Sequence, residues 1–208
     1  MTIYDVHIPD LVPEGSCGVA EVQHYEVNQF ASSMSIFSGE PVSPGRYAKL
    51  KVGRVLMMSD TSMEKRSNCE FAYQARGRVL VAGLGLGLIL FAIADKPEVQ
   101  HVTVVEKFDD VIQLVGPSVQ AKFGDKLDIV CADIFDWKPI KGRTWNVIYF
   151  DIWENICTDN LKEIATLHRK FSRSLDRDHG PGWMNSWMRN ELQRRKRRED
   201  REERAYRW

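Results

Sequence analysis

The pattern of apolar and polar positions changes character near residue 76. Upstream, residues 1–45 read as irregular, with one strand expected at Val19–Val27 and a turn-rich patch, GEPVSPG, closing at Gly45. RYAKLKV and RVLMMSD follow as two short strands joined at Gly53, a hairpin. MEKRSNCEFAYQAR suits one helix, with Thr61 or Ser62 as its cap. From Arg78 onward, four apolar runs (VLVAG, HVTVVEK, LDIVCAD and WNVIYFD) alternate with helical stretches. The first of these helices is ended by Pro97. The second, FDDVIQLV, ends at Gly116-Pro117, and the third is DNLKEIATLHRKFSRSL. Runs of this kind alternating with helices imply a parallel sheet covered on both faces.

After Leu175 the alternation stops at DRDHGPG, and the remainder reads as helix throughout. Trp183, Met184, Trp187, Met188 and Leu192 recur at helical spacing, so this stripe is expected to dock on the sheet or on another subunit. The expected organisation has three parts. Residues 1–75 form a β-hairpin portion with a connecting helix, and residues 76–178 form a Rossmann-like α/β core. That core has a C-terminally truncated parallel sheet, and residues 179–208 form a helical, arginine-rich extension.

Composition narrows the class. At 208 residues the chain fits one domain of ordinary size, and its 43% hydrophobic and 28% charged content suits a globular protein. Lysine plus arginine equals aspartate plus glutamate at 29 each, so no global field draws the chain to nucleic acid or membrane. The charge is uneven, however. RRKRREDREERAYR carries eight basic and four acidic residues, and nucleic-acid contact is expected only through this tail, if it is not simply solvated. Val79–Ala94 is an unbroken apolar-and-glycine stretch, but it is shorter than a spanning helix and is interrupted by Gly83, Gly85 and Gly87. No membrane span is expected. The N-terminus does not read as a signal peptide. Cys17, Cys69, Cys131 and Cys157 lie far apart with no C-x-x-C pair and no zinc spacing, so they read as reduced, mostly buried thiols of a cytoplasmic protein.

Ligands of a parallel sheet bind at the carboxyl ends of its strands. The four runs end in Gly83-Leu-Gly-Leu-Gly87, Glu106, Asp133 and Asp151. The loop is G-x-G-x-G with Leu88 where a dinucleotide fingerprint needs glycine, and it lacks the lysine of a P-loop. Its glycines serve either a ligand or close strand–helix packing. Glu106, nineteen residues after Gly87, is placed to accept hydrogen bonds from two ribose hydroxyls. Asp133 either reads an adenine amino group, with Ile134 and Phe135 lining the ring, or caps the following turn.

VLVAGLGLG, VVEK, ADIFDW and YFDIW together resemble the successive motifs of class I S-adenosylmethionine-dependent methyltransferases, over roughly residues 76–175. RVLMMSD with CEFAYQ resembles the segment before the glycine loop of spermidine synthases, with Asp60, Glu70, Phe71 and Tyr73 in matching positions. The whole is similar to small spermidine-synthase-like proteins, often called methyltransferases, of phage and actinobacterial genomes. The resemblance implies S-adenosylmethionine, or its decarboxylated form, as cofactor. It also implies cofactor-binding roles for Gly83, Gly85, Gly87, Glu106, Asp133 and Ile134.

Two departures bear on the reaction. Aminopropyltransferases carry an acid in the loop where this chain has Leu86, and D-S-S-D-P where it has Asp151-Ile-Trp-Glu154-Asn. Neither the prolines of amino-methylating DNA enzymes nor the Pro-Cys of cytosine-C5 enzymes is present. Asp151 is the candidate catalytic carboxylate. Asp60, Tyr73, Trp153 and Glu154 are candidates for the acceptor side, although Trp153 also suits a core position and Glu154 a helix start. The expected activity is methyl transfer to a small or nucleophilic acceptor. Aminopropyl transfer, cleavage of S-adenosylmethionine, and a non-catalytic nucleoside-binding scaffold are the alternatives. A homo-oligomer is expected.

Overall fold

The computed structural model describes residues 2–37, 41–178 and 180–205. Part of the GEPVSPG patch, His179 and the last three residues of the tail fall outside them. The N-terminal portion is an antiparallel four-stranded sheet, β1 (Gly15–Cys17), β2 (Ala20–Val27), β3 (Gly45–Val52) and β4 (Val55–Ser59), in that order. It is more regular than its sequence suggests. The β3–β4 hairpin and β2 stand where expected, but β1 and the helix α1 (Gln29–Phe37) were not legible. The reading of residues 63–76 as one helix is corrected to two short ones, α2 (Ser62–Ser67) and α3 (Cys69–Gln74), broken at Asn68. The Asn68 side chain explains the break. Its Nδ2 donates to the Glu64 carbonyl, and its Oδ1 accepts from the buried Tyr149 hydroxyl at 2.9 Å. Thr61 precedes α2 but makes no side-chain cap bond.

The second sheet is parallel throughout: β5 (Gly77–Ala82), β6 (Val99–Glu106), β7 (Leu127–Cys131), β8 (Val147–Phe150) and β9 (Trp183–Ser186). Their spatial order is β7-β6-β5-β8-β9, so the chain reverses direction across the sheet between β5 and β8. With α4 (Leu88–Ile93), α5 (Asp109–Phe123) and α6 (Asn160–Phe171) as its connecting helices, this is a Rossmann-like α/β fold. Val79, Leu80, Val81 and Ala82 are fully buried, as a central parallel strand requires.

Two further expectations fail for physical reasons. The helical reading of Trp183–Ser186 is replaced by a fifth strand. β8 is bound on one side by β5, and its other backbone edge needs a partner, which Trp183–Ser186 supplies from Val147↔Trp183 to Phe150↔Ser186. Alternation then places the Trp183 ring against Tyr149, with centroids 5.9 Å apart. The second failure is the stop at Pro117, because α5 runs through it to Phe123. An interior proline costs roughly 3 kcal/mol. Continuing the helix buries Val119 and Phe123, at about 1.5–3 kcal/mol each, which offsets that cost. A last helix, α7 (Arg189–Ala205), follows β9 and packs on α6. No described helix is long and apolar enough to cross a membrane. The cysteines are corrected as well. Cys17, Cys69 and Cys157 are half-buried and Cys131 is exposed, each lying at or near the end of an element, and of the four only Cys69 packs against the core.

Candidate cofactor and catalytic cleft

The reversal between β5 and β8 opens a crevice at the carboxyl ends of the strands, the usual ligand position in such sheets. A cavity of ≈ 290 Å³ lies there, lined by Gly83, Gly85, Glu106, Asp133, Ile134 and Asp151. All four strand-end features therefore meet in one place. The front wall comes from the N-terminal sheet, through Leu50, Val52, Met57 and Met58.

The loop after β5 shows why two of its glycines are needed. Gly83 has φ +97°, and a Cβ there would strike the carbonyl oxygen of Asp151. Gly85 has φ +52°, and a Cβ there would strike Met58 Sδ, which also accepts the Leu86 N–H at 3.1 Å. Packing within the protein accounts for both, and it draws the end of β8 against the loop. Gly87 does not line the cavity. It is the left-handed residue from which α4 starts, and Leu86 is buried in the core.

Glu106 is buried, and its two carboxylate oxygens accept the N–H groups of Leu84 (2.7 Å) and Phe108 (2.9 Å). It thus pins the glycine loop to β6. A carboxylate offers about four acceptor positions. Two remain for a ligand, the number a vicinal diol uses.

Asp133 closes the turn after β7. Its Oδ1 accepts the Phe135 N–H at 2.9 Å, its carbonyl receives the N–H groups of Asp136 and Trp137, and its Oδ2 pairs with Lys107 at 2.9 Å. The Phe135 N–H, then Lys107, hold its carboxyl below the usual range. The turn-capping role is therefore real, and the residue still lines the cleft. Lys170, from α6, fixes the same loop by donating to the carbonyls of Ile134 (3.0 Å) and Phe135 (2.6 Å).

Asp151 differs from the other acids. Its backbone N–H continues the sheet to Ala82, but its carboxyl has no hydrogen bond or ion pair with a described residue. Burial raises its pKa to about 7. The neighbouring Tyr149 phenol is pushed well above its ordinary value by burial and by Asp151, Glu64 and Glu70. Trp153 is almost fully buried, and its indole N–H donates to Glu163 at 2.8 Å, so it is a fixed wall of the cleft as well as part of the core. Glu154 is exposed at the rim.

Two acceptor-side candidates are not brought to the cleft. Asp60 is wholly buried beneath the N-terminal sheet, its carboxylate accepting the Ala48 N–H (2.7 Å) and the Ile8 N–H (3.2 Å). It ties the first residues to β3. Tyr73 is 82% exposed and does not line the cavity, because α3 turns it to solvent while Phe71 takes the core position.

Glu64 and Glu163 line the cleft without having been singled out, and Trp187, expected only as part of a docking stripe, lines it too. The one sequence signal of the two glutamates was membership of helices flanking the strand ends. Among the described residues that line the cleft, carboxylates outnumber the single cation, Lys107. No described group of His, Cys, Asp and Glu side chains could hold a metal ion.

No family model matches the chain, and no curated protein does. Solved structures do. The chain is similar to the CcbJ methyltransferase from Streptomyces caelestis at 18% identity and TM-score 0.43, over 54% of this chain and 45% of that one. It is similar to the S-adenosylmethionine-dependent methyltransferase SibL at 21% identity and TM-score 0.43, over 55% of this chain and 34% of that one. Spermidine synthase from Thermotoga maritima matches at 14% identity and TM-score 0.45, over 79% of this chain and 52% of that one. The chain thus spans less than half the length of these methyltransferases and about half that of the synthase.

Proposed function

We propose that this chain is an S-adenosylmethionine-dependent transferase that moves a methyl group to a small nucleophilic acceptor. One observation carries the reading: the glycine loop, Glu106, Asp133 and Asp151, each at the end of a different parallel strand, converge on one acidic cavity. The free acceptor positions of Glu106 suit the ribose hydroxyls. Ile134 and Phe135 offer an apolar wall for the adenine. The excess of carboxylates suits a cationic sulfonium.

When bound, the cofactor would supply an activated methyl on a good leaving group. The protein then has to position the acceptor, exclude water and take a proton. Asp151 is placed for the last task. A carboxyl with pKa near 7 is half-ionised at neutral pH and is a stronger base than an ordinary aspartate. Trp153, held by Glu163, shapes the space beside it. Aminopropyl transfer is less well supported. Leu86 is buried, so no side chain there reaches a ligand, and Asp60 and Tyr73 stand outside the cleft.

The test is to incubate the purified chain with S-adenosylmethionine, with and without a metabolite extract, and identify the cofactor products by mass spectrometry. S-adenosylhomocysteine formed only with the extract is the expected result. Methylthioadenosine with an aminopropylated acceptor, seen only with decarboxylated cofactor, would replace methyl by aminopropyl transfer. Breakdown without any acceptor would make the chain a cofactor-cleaving enzyme.

A further inference from the structure

Helix α7 divides its charges by face. Leu192 is buried against the body of the protein, and Glu199, seven residues on, accepts the Thr158 hydroxyl. That face is the docked one. Arg194, Arg197, Arg201 and Arg204 recur at steps of three and four, which places them on the opposite face, one above the next. All four are exposed. Three other basic residues of the helix are matched: Arg195 with Glu191 at 3.2 Å, Lys196 with Asp200 at 3.1 Å and Arg198 with Glu202 at 3.9 Å. The four outer arginines have no ion-pair partner among the described residues, and the helix acids that flank them, Glu191 and Asp200, are already paired with Arg195 and Lys196. A chain of zero net charge thus presents an arginine stripe about 15 Å long at helical rise. Like charges one turn apart oppose helix formation, so this arrangement favours neutralisation from outside.

We propose that the α7 stripe binds the phosphate backbone of a nucleic acid. Guanidinium groups match phosphate oxygens two at a time, and a row of them one turn apart meets successive phosphates. A lipid surface fits less well. A membrane-lying helix buries an apolar face, whereas the outer face of α7 carries arginines with only Asn190 and Ala205 at its two ends, and Leu192 is committed to the protein core. The stripe also begins beside the cleft. Arg194 lines a second cavity of ≈ 270 Å³ that includes Ser67, and Ser67 accepts the indole N–H of the cleft residue Trp187 at 2.9 Å. The proposal does not depend on the transferase reading, and either can fail alone.

The test uses the full chain and fluorescence anisotropy of labelled 30-nucleotide DNA, RNA of the same sequence, and the DNA duplex. With four phosphate contacts, log K should fall against log salt with a slope of about −3 for single strands and about −3.5 for duplex. The tightest of the three probes names the nucleic acid. Replacing all four residues (R194Q, R197Q, R201Q, R204Q) should weaken binding at least tenfold and flatten the slope. The thermal melt should not fall, since these side chains make no ion pair with a described residue and their mutual repulsion is removed. Should that variant misfold, the wild-type salt slope still decides. The proposal is overturned by absence of binding at about 50 mM salt, where phosphate contacts are strong. It is equally overturned by a quadruple variant that keeps affinity and slope, or by tighter sedimentation with phosphatidylserine vesicles than binding to any oligonucleotide.

Discussion

Replacing Asp151 by asparagine keeps the shape of the side chain and removes both charge and base. Burial raises the carboxyl from 3.8 to about 7. The folded protein therefore holds a proton that the unfolded chain has already released, and stability falls as pH rises from about 4 to about 7. One pKa unit corresponds to about 1.4 kcal/mol, so the shift puts the wild-type penalty at about 1.5–2 kcal/mol at pH 5 and about 4 kcal/mol at pH 8. The asparagine variant carries none of this. Its stability relative to wild type should therefore improve by about 2–3 kcal/mol between those two pH values. Urea denaturation of both proteins at pH 5 and pH 8 gives the double difference, from which every other titrating group cancels. Methyl transfer should meanwhile drop by about two to four orders of magnitude, the usual contribution of a general base. In the wild type, kcat should rise as pH passes through about 7. A stability difference that is the same at both pH values would mean that Asp151 stays ionised throughout. The argument for a neutral-pH base would then fail.

Other outcomes follow from the same structure. His168, hydrogen-bonded to Ser186 at 2.9 Å, is lowered to about 4 by burial and by Arg189. Its neutral form stabilises the fold above pH 6.5, and up to about 3 kcal/mol is lost as pH falls toward 4. H168Q should flatten that part of the pH–stability curve in chemical denaturation, and an unaltered curve would refute the assignment. Asp60→Ala leaves two buried N–H groups without acceptors, at about 1–3 kcal/mol each, and should lower the melting temperature while leaving cofactor affinity intact. A calorimetric loss of affinity with no change in melting would instead return Asp60 to the cleft. Truncation after Gln193 keeps β9 and the one buried side chain of α7 and should leave a folded protein, whereas truncation before Trp183 uncovers the edge of β8 and should aggregate. Size-exclusion profiles of the two truncated proteins distinguish these results, and precipitation of the shorter deletion would make the charged helix structural.

The α/β core was legible because a parallel sheet is buried on both faces and writes its strands as apolar runs, with functional residues where each run stops. Glu106, Asp133 and Asp151 could be placed for that reason alone. β9 was not legible. WMNSWM satisfies the helical and the extended period equally well, and only the open edge of β8 decides between them. Pro117 misled because a local signal was outweighed by the burial of Val119 and Phe123 beyond it. Asp60 and Tyr73 were placed by resemblance. The former proved to be a backbone acceptor inside the N-terminal sheet, the latter a solvent-facing ring. Glu64 gave no local sign, since its approach to the cleft depends on how the N-terminal portion packs against the parallel sheet.

Titration calorimetry with S-adenosylmethionine tests the central claim most directly, using the wild-type chain and Glu106→Ala. The wild type should bind one equivalent. The variant, if it shows a cooperative melt, should bind about tenfold to a hundredfold more weakly, as expected from losing charge-assisted hydrogen bonds worth about 1.5–3 kcal/mol. Absence of binding by the wild type, or equal affinity in the folded variant, would contradict the assignment of this cleft to that cofactor.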